Sequence, residues 1–385
     1  MTGRLIPSVV PEMRQLTIVF AVFVLCGFPV QGQVAESISL PLQQNEYDLS
    51  NEGRAFLLRE AARASFFMLG ELHGENEIPS LIQGMWASLW KDGYRHVAAE
   101  VSPWAANQLE FGNHQVPIVG LWTQPEAALV TSLKSDRASV LWGCDIEEVQ
   151  PQYIIRELAA ANPSNKSLQA AVDMVKNGYR RQMASALLKL VEASGAITDP
   201  LTGSESLRDG LVHTLSVEVD RSTGSALSAS IRREGVMKDL FHNYWVKAGR
   251  TKVFLRFGRN HLHRGLDRRG VSTLGNFVAE LATAERLEVF NVGAFAGGGK
   301  IRLIGPPADA DERGDDPAFA YLASVAHYGA TVFDFRPLRQ ALHRLPETKR
   351  SAVEASLVYW ADSYDAMIFY REVTPLGTSP EGAQR

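Results

Sequence analysis

The chain has 385 residues, of which 45% are apolar and 21% are charged. This composition is typical of a globular protein with a large core, and it excludes a disordered or fibrous chain. The formal net charge is −4, and basic residues occur in no run longer than a pair. Charge therefore gives no indication of a nucleic-acid partner, and a small-molecule partner is the expectation.

The N-terminus has the pattern of a cleavable export signal. Arg4 and Arg14 precede the apolar stretch at 16–28, and small residues follow up to Gly32. The apolar stretch is shorter than the roughly 20 residues that a membrane-spanning helix requires. We therefore expect residues 1–32 to be a signal peptide and the processed protein to be secreted or periplasmic, without a stable membrane span. An uncleaved anchor is the alternative.

Cysteine usage adds one constraint. Cys26 lies in the predicted signal peptide, so the processed chain retains only Cys144 and cannot form an internal disulfide. Stability must then come from the apolar core. Cys144 is interpreted as a buried structural residue rather than a nucleophile.

After a first helical region that ends near residue 60, short apolar runs alternate with helical patterns. The runs that predict strands are SFFMLG, RHVAAE, SVLWGCD, KVFLRFG, LEVFNVG, ATVFDF and DAMIFY. Helices are predicted between Ile78 and Leu89, from Pro103, from Pro151 and from Leu274. Short apolar strands that alternate with helices predict an α/β fold, with a mostly parallel sheet and helices on both faces.

Two further segments interrupt this alternation. Residues 163–250 show apolar side chains every three or four positions and no clear strand, which predicts a helical insertion. The insertion could be a cap over a site or a packing layer. Residues 376–385 are rich in Gly, Pro and Ser and are expected to be a disordered tail. Residues 33–375 are then expected to form a single domain.

Ionisable residues follow four of the predicted strands. Glu71 and His73 follow the first strand, Glu100 ends the second, and Asp145 follows the third. His261 and His263 follow the fourth. Ligands of open parallel sheets bind beyond the carboxyl ends of the strands, so these side chains are expected to meet at one edge.

Two kinds of chemistry suit such a cluster. A histidine beside carboxylates can transfer a proton near neutral pH. Two histidines with carboxylates can instead hold a divalent metal, which lowers the pKa of a bound water. Both routes activate water against an ester or amide. The chain has no Gly-x-Ser-x-Gly elbow, which disfavours a serine nucleophile. The other histidines are interpreted as structural; they are His96, His114, His213, His242, His327 and His343.

Several of these stretches resemble one protein family. LGELHGENE, VAAEVSPW, LWGCDIE, REGVMKDLF, KVFLRFGRNHLHRG, TVFDFRPLR and YDAMIFYREVTP occur in the order typical of the erythromycin esterase-like family. That family belongs with the ChaN-like and Tiki/TraB proteins. The resemblance extends from about Phe66 to Pro375 and implies an α/β fold with a helical insertion and a site at the strand ends.

The resemblance also implies roles for individual residues. Glu71, His73, Glu100 and His261 would be the catalytic positions of an exported hydrolase that activates water against an ester or lactone, with His73 as the base. His263, Asp145 and Arg233 would bind substrate. His263 stays an alternative to His261 as the functional histidine, and Arg264 is an alternative to Arg233 as the site arginine.

Two alternatives within this superfamily stay open. The Glu71-Leu72-His73 spacing is that of the ChaN-like branch, which implies an iron- or haem-binding protein. The Tiki branch implies a metal-dependent peptidase, with Glu71, His73, Glu100 and His261 as metal ligands. In these two alternatives the cofactor would be a divalent metal or haem. If the protein is a hydrolase of the esterase type, its cofactor is unknown.

Overall fold

A computed structural model describes residues 34–112, 124–133, 139–200, 206–303 and 305–377. The predicted signal peptide, residues 1–32, lies outside the described residues. So do residues 378–385, which are most of the predicted tail. His114 is also outside them.

The described residues contain one large sheet and one short hairpin. The strands are β1 (Glu46–Asp48), β2 (Phe66–Glu71), β3 (Tyr94–Ala99), β4 (Leu141–Gly143), β5 (Lys252–Gly258), β6 (Val289–Ala296), β7 (Lys300–Ile301), β8 (Ala308–Asp309), β9 (Ala330–Asp334) and β10 (Ala366–Tyr370). Eight of them form a sheet in the order β1-β9-β10-β6-β2-β5-β3-β4, and β7 pairs with β8. The adjacent strands β10, β6, β2, β5, β3 and β4 run parallel to one another. Strand β9 runs antiparallel to both of its neighbours, β10 and β1.

Helices connect these strands and supply both outer layers. The α-helices are α1 (Glu36–Gln44), α2 (Arg54–Arg63), α3 (Glu77–Lys91), α4 (Pro103–Phe111), α5 (Gln124–Leu133), α6 (Pro151–Ala161), α7 (Lys166–Met174), α8 (Ala184–Ala193), α9 (Leu207–Ser222), α10 (Ala226–Lys247), α11 (Leu274–Glu285), α12 (Pro317–Val325), α13 (Phe335–Arg344) and α14 (Ala352–Ser363). Short helical turns occur at Leu49–Gly53, Arg181–Met183, Arg259–His261 and Glu347–Lys349.

The sheet separates two apolar cores. Alternate side chains of β2 enter different cores, with Phe67 and Leu69 in one and Phe66 and Met68 in the other. All six residues of β2 are buried, as expected for a central strand that is covered on both faces. This confirms the predicted α/β fold with a mostly parallel sheet and helices on both faces.

Local sequence signals explain where the helices begin. Ser102 caps α4 by accepting a hydrogen bond from the backbone N–H of Ala105, and Pro103 occupies the first turn. Pro151 has the same position in α6. Both starts agree with the sequence prediction.

The segment predicted as a helical insertion contains α7, α8, α9 and α10. In the described part of 163–250, which omits residues 201–205, there is no strand. Helix α10 packs against α9 and contributes Phe241 and Trp245 to the core that also contains Phe66. The insertion therefore covers the sheet directly, and its longest helix crosses the edge where β3, β4 and β5 end.

Sequence patterns did not predict β1 or the β7–β8 hairpin. These strands have two or three residues, too few for an alternating pattern to be recognised. Among the described residues, no helix is both long enough and apolar enough to cross a membrane.

Candidate active site

The pairing of β2 with β5 brings two charged side chains together at the sheet edge. In this parallel pair Leu69 lies opposite Arg256, and Glu71 lies opposite Gly258. The Nε atom of Arg256 donates a 2.6 Å hydrogen bond to Oε2 of Glu71. Both side chains are almost fully buried, so each compensates the charge of the other.

From Glu71 a series of carboxylate and imidazole groups continues across the strand ends. Oε1 of Glu71 lies 2.8 Å from Nδ1 of His73. Nε2 of His73 lies 3.3 Å from Oε2 of Glu100, and Nε2 of His261 lies 3.3 Å from Oε1 of Glu100. Nδ1 of His261 lies 2.6 Å from Oε1 of Glu234. Glu100 thus lies between two histidines. Each histidine also contacts a second carboxylate through Nδ1, Glu71 for His73 and Glu234 for His261. We call Glu71, His73, Glu100, His261 and Glu234 the relay cluster.

Helix α10 contributes two adjacent residues to this site. Arg233 donates from an Nη atom to Oε1 of Glu100 at 2.8 Å and from Nε to Oδ1 of Asp145 at 3.0 Å. Glu234 holds His261 with one carboxylate oxygen and accepts the backbone N–H of Leu274 with the other, at 2.8 Å. The insertion therefore fixes both Glu100 and His261.

The backbone turn after β2 directs His73 toward Glu100. His73 has a φ of +83° and Gly74 has a φ of +86°, so both lie in the left-handed region. That conformation is uncommon for a histidine, and such residues concentrate at functional sites. The carbonyl of Gly74 accepts hydrogen bonds from the backbone N–H groups of Arg302 and Leu376, both at 2.8 Å, which hold the turn.

The electrostatics of the relay cluster favour two charged histidines. Burial alone would lower the pKa of His73, but the negative charges of Glu100 and Glu71 outweigh this effect and raise the pKa to about 10. Burial would also lower the pKa of His261, but the negative charges of Glu100 and Glu234 outweigh it and raise the pKa to about 9. Burial would raise the pKa of Glu100, yet His261 and His73 hold it well below its ordinary value. At neutral pH the site therefore contains ionised Glu100 between two imidazolium groups.

Glu75, two residues beyond His73, is a second buried carboxyl group in this region. Burial, together with the charge of Glu71, raises its pKa to about 8. Its Oε2 atom has no hydrogen-bond partner among the described residues. Glu75 is therefore protonated at neutral pH, in contrast to Glu71.

The site is nearly closed to solvent. The side chain of His73 is 18% exposed and that of Glu100 is 7% exposed. The contacts of 3.3 Å between Glu100 and the two imidazoles are longer than strong charged hydrogen bonds.

The predicted metal ligands Glu71, His73, Glu100 and His261 pair with one another and with Arg233 and Glu234, and metal binding by them stays a prediction. No group of three or more His, Cys, Asp or Glu side chains in the described part of the chain is arranged to hold a metal ion. The Nδ1 atoms of both histidines face Glu71 and Glu234, an arrangement that also occurs behind metal-bound histidines. The guanidinium group of Arg233 contacts Glu100 directly and would repel a cation.

The other predicted residues differ in their surroundings. Asp145 and Arg233 lie beside Glu100. His263 lies apart from the relay cluster: its Nδ1 faces the Ser363 hydroxyl at 2.9 Å, and its ring packs against Tyr359 and Trp360. Burial, with nearby Arg259, lowers the pKa of His263 to about 4, so it stays neutral. Of the two candidate histidines, His261 therefore contacts Glu100, whereas His263 does not.

Arg264 and Cys144 also have surroundings outside the relay cluster. Arg264 pairs with Asp365, whereas Arg233 contacts Glu100. Cys144 is fully buried, and burial, with the nearby Asp145, raises its thiol pKa well above the ordinary value. A thiol in this state is a poor nucleophile, in agreement with its interpretation as structural.

Glu75, Glu234 and Arg256 were not predicted from the sequence. Glu234 follows the candidate Arg233 directly, but sequence did not show which face of α10 meets the sheet. Arg256 gave a usable signal, because a charged residue inside the apolar strand KVFLRFG requires a buried partner of opposite charge.

Three solved structures match this architecture along almost the whole chain. A succinoglycan biosynthesis protein has 14% identity and a TM-score of 0.59, covering 89% of this chain and 99% of its own. A Bacillus cereus protein has 12% identity and a TM-score of 0.57, with the same coverage. A histidine-to-asparagine mutant of the erythromycin esterase EreC, in its open conformation, has 13% identity and a TM-score of 0.56, covering 88% of this chain and 98% of its own. No family model and no curated protein sequence matches the chain.

These matches define the class of fold. The chain has an erythromycin esterase-like α/β fold. At identities of 12–14% the likeness concerns the fold alone.

Proposed function

We propose that this protein is an exported hydrolase that uses an activated water to cleave an ester or lactone. The observation that carries the proposal is the position of the Glu100 carboxylate between the Nε2 atoms of His73 and His261, each 3.3 Å away. The fold shared with an erythromycin esterase supports the reaction class. The apolar N-terminal segment supports export.

The charge states suggest how the proton moves. His73 is an imidazolium at neutral pH, so it is a proton donor rather than the base that the resemblance implies. A water molecule that enters between His73 and Glu100 meets a carboxylate acceptor on one side and an imidazolium donor on the other. Glu100 accepts the proton of the attacking water while the water oxygen bonds to the carbonyl carbon and the π electrons of the C=O bond move to the carbonyl oxygen, which gives a tetrahedral oxyanion.

The second half of the reaction uses the proton of His73. The imidazolium donates it to the leaving alkoxide oxygen as the oxyanion re-forms the C=O bond and the ester C–O bond breaks, so the products are an acid and an alcohol. The proton on Glu100 then returns to His73 across their direct contact, which restores the resting state. Glu71 holds Nδ1 of His73 throughout, and Arg233 stabilises the ionised form of Glu100.

The test uses the processed chain, beginning near Gln33, and a panel of esters and lactones assayed by mass spectrometry. Once a substrate is found, Glu100→Gln and His73→Gln are compared with His343→Gln. His343 is a suitable control because it also contacts a carboxylate, that of Asp362, but lies on the surface. General acid–base groups typically contribute about 10²–10⁴-fold to the rate.

We expect both site variants to lose activity by that factor and His343→Gln to retain it. Site variants that remain folded and fully active would contradict the proposal. Metal analysis of the same samples separates the alternatives: near-stoichiometric metal in the wild type, lost in both site variants, would replace this proposal with a metal-dependent reaction.

A further inference from the structure

The last described segment of the chain packs against the turn that carries His73. Residues 373–376 follow β10 and lie beside the residues that follow β2, although 297 positions separate Thr374 from Glu77. Both segments belong to stretches that resemble the erythromycin esterase-like family, LGELHGENE and YDAMIFYREVTP. The proposed hydrolysis gives the second stretch no role. We call residues 373–376 the strap.

Backbone hydrogen bonds connect the strap to the turn itself. The N–H of Leu376 donates to the carbonyl of Gly74 at 2.8 Å, and the N–H of Asn76 donates to the carbonyl of Thr374 at 2.9 Å. These bonds flank an isolated antiparallel bridge between the two segments. The strap therefore pairs with the residues that directly follow His73.

The side chain of Glu77, in the first turn of α3, adds a charged group to this pairing. Its two carboxylate oxygens accept the backbone N–H of Thr374, each at 3.0 Å, and Oε1 also accepts the Thr374 hydroxyl at 2.9 Å. The side-chain amide of Asn76 donates to the carbonyl of Pro375 at 3.0 Å. Hydrogen bonds to a carboxylate are stronger than those between neutral groups, so Glu77 is the main side-chain contact that holds the strap.

The strap is in turn fixed by the apolar core and by the segment before β7. Val373 is 3% exposed and Leu376 is 1% exposed, so both side chains are anchored. The N–H of Val373 donates to the carbonyl of Gly298 at 3.1 Å, and its carbonyl accepts the N–H of Lys300 at 3.0 Å. A displacement of the strap would therefore disturb buried side chains.

The turn needs such support. His73 and Gly74 have φ angles of +83° and +86°, a conformation that is unfavourable for a histidine and persists only where the surrounding structure imposes it. We propose that the strap and Glu77 position His73, by holding this turn so that Nε2 of His73 stays against Glu100. Glu77 is then a positioning residue that acts through the turn. The effect on rate rests on the proposed hydrolysis, whereas the effect on the His73 ring does not.

The test compares three variants of the processed chain. Glu77→Ala removes both carboxylate oxygens that Thr374 contacts. Glu77→Gln keeps the side-chain carbonyl as an acceptor and removes only the charge. Glu36→Ala is the matched control, because Glu36 is also in the first turn of a helix, α1, which packs against α13.

Three measurements are made on each variant. Steady-state kinetics use the ester or lactone found in the substrate screen, and urea denaturation reports stability. ¹⁵N NMR spectra of histidine-labelled protein report the environment of the His73 ring, whose signal is identified by its loss in His73→Gln.

We expect Glu77→Ala to lower kcat about tenfold or more with KM nearly unchanged, since a displacement of about 1 Å can cost about 100-fold. Its His73 signal should shift or broaden. Glu77→Gln should recover most of the loss, and Glu36→Ala should match the wild type. Lower stability alone, with kcat and the His73 signal unchanged, would overturn the proposal. Equal losses in Glu77→Gln and Glu77→Ala would also overturn it, because the charge and not the contact with the strap would then be responsible.

Two further outcomes are separable. If Glu77→Ala does not fold, Thr374→Val, which removes only the hydroxyl donor, takes its place; a smaller change of the His73 signal supports the proposal and an unchanged signal overturns it. If the wild type cleaves no ester or lactone, the proposed function fails and the His73 signal alone decides. A displaced signal in folded Glu77→Ala would then support the positioning role, and a wild-type signal would overturn it.

Discussion

Gly258 and His73 approach each other so closely that a larger residue at position 258 would displace the His73 ring. A methyl group built on Gly258 would lie 2.3 Å from Nε2 of His73, and it would also lie 3.1 Å from Oε2 of Glu100. The backbone N–H of Gly258 donates to the same Glu100 oxygen at 2.6 Å. The end of β5 therefore packs directly against the contact between His73 and Glu100.

The first prediction follows from this contact. Gly258→Ala should displace the His73 ring and reduce hydrolysis by about 100-fold, since shifts of about 1 Å have effects of that size. Overpacking should also lower the free energy of unfolding by about 1–3 kcal/mol. Steady-state kinetics and urea denaturation measure both effects.

Gly210→Ala is the control, because a methyl group at this position in α9 meets no atom within 4 Å. Its activity should equal that of the wild type, and its stability should be equal or slightly higher. If Gly258→Ala were as active as Gly210→Ala, the contact would have no importance for catalysis.

The second prediction concerns the pH dependence of kcat/KM. His73 must be protonated to donate, and its pKa is about 10, so activity should fall as the pH rises through about 10. Glu100 must be ionised, and its pKa lies well below the ordinary value of 4.5, so the acidic loss should occur only at low pH. The profile should therefore be a broad plateau. Activity that instead rises toward pH 10 would identify His73 as the base.

The third prediction concerns Glu75 and stability. Its pKa is raised to about 8 in the folded protein, so the folded state binds this proton more tightly than the unfolded state does. The resulting stability is fully present below about pH 4.5 and is lost as the pH rises through 8. Glu75→Gln, which stays neutral, should match the wild type at pH 5 and exceed it by about 1–4 kcal/mol at pH 9. Urea denaturation at the two pH values measures this, and equal values at pH 9 would show that Glu75 ionises without penalty.

The fourth prediction concerns Glu234 as a positioning residue. Glu234→Gln keeps an acceptor near Nδ1 of His261 but removes the negative charge. The pKa of His261 should therefore fall from about 9 toward 6.5, its ordinary value. NMR titration of the imidazole measures this directly, and Asp239→Asn on the same helix is the control. An unchanged His261 pKa would assign its elevation to Glu100 alone.

Sequence patterns predicted the ends of β2, β3, β4 and β5 well, because each is a short apolar run that an ionisable residue ends or follows within two positions. For this reason Glu71, His73, Glu100 and His261 could be expected at one edge, and the structure brings them together; their catalytic roles remain predictions. Sequence could not separate His261 from His263. The direction of each side chain depends on the tight turn Arg259–His261, whose geometry leaves no periodic pattern.

The contribution of α10 was the least predictable part. Its apolar residues form only a rough helical repeat, so the face that meets the sheet was not defined. Arg233 was selected only by resemblance, and Glu234 was not selected at all. Both positions depend on how the insertion packs against the ends of β3, β4 and β5, which is a property of the tertiary structure.

Because Arg233 and Glu234 are neighbours on one rigid helix, α10 is a poor place to redesign this protein. A helix rises 1.5 Å per residue, so an insertion or deletion upstream in α10 would move both side chains away from Glu100 and His261 together. Exchanging this helix with that of another protein of the same fold would have the same effect unless its register were preserved. Attempts to alter the range of molecules accepted should therefore begin in the loops around the site and leave the length of α10 unchanged.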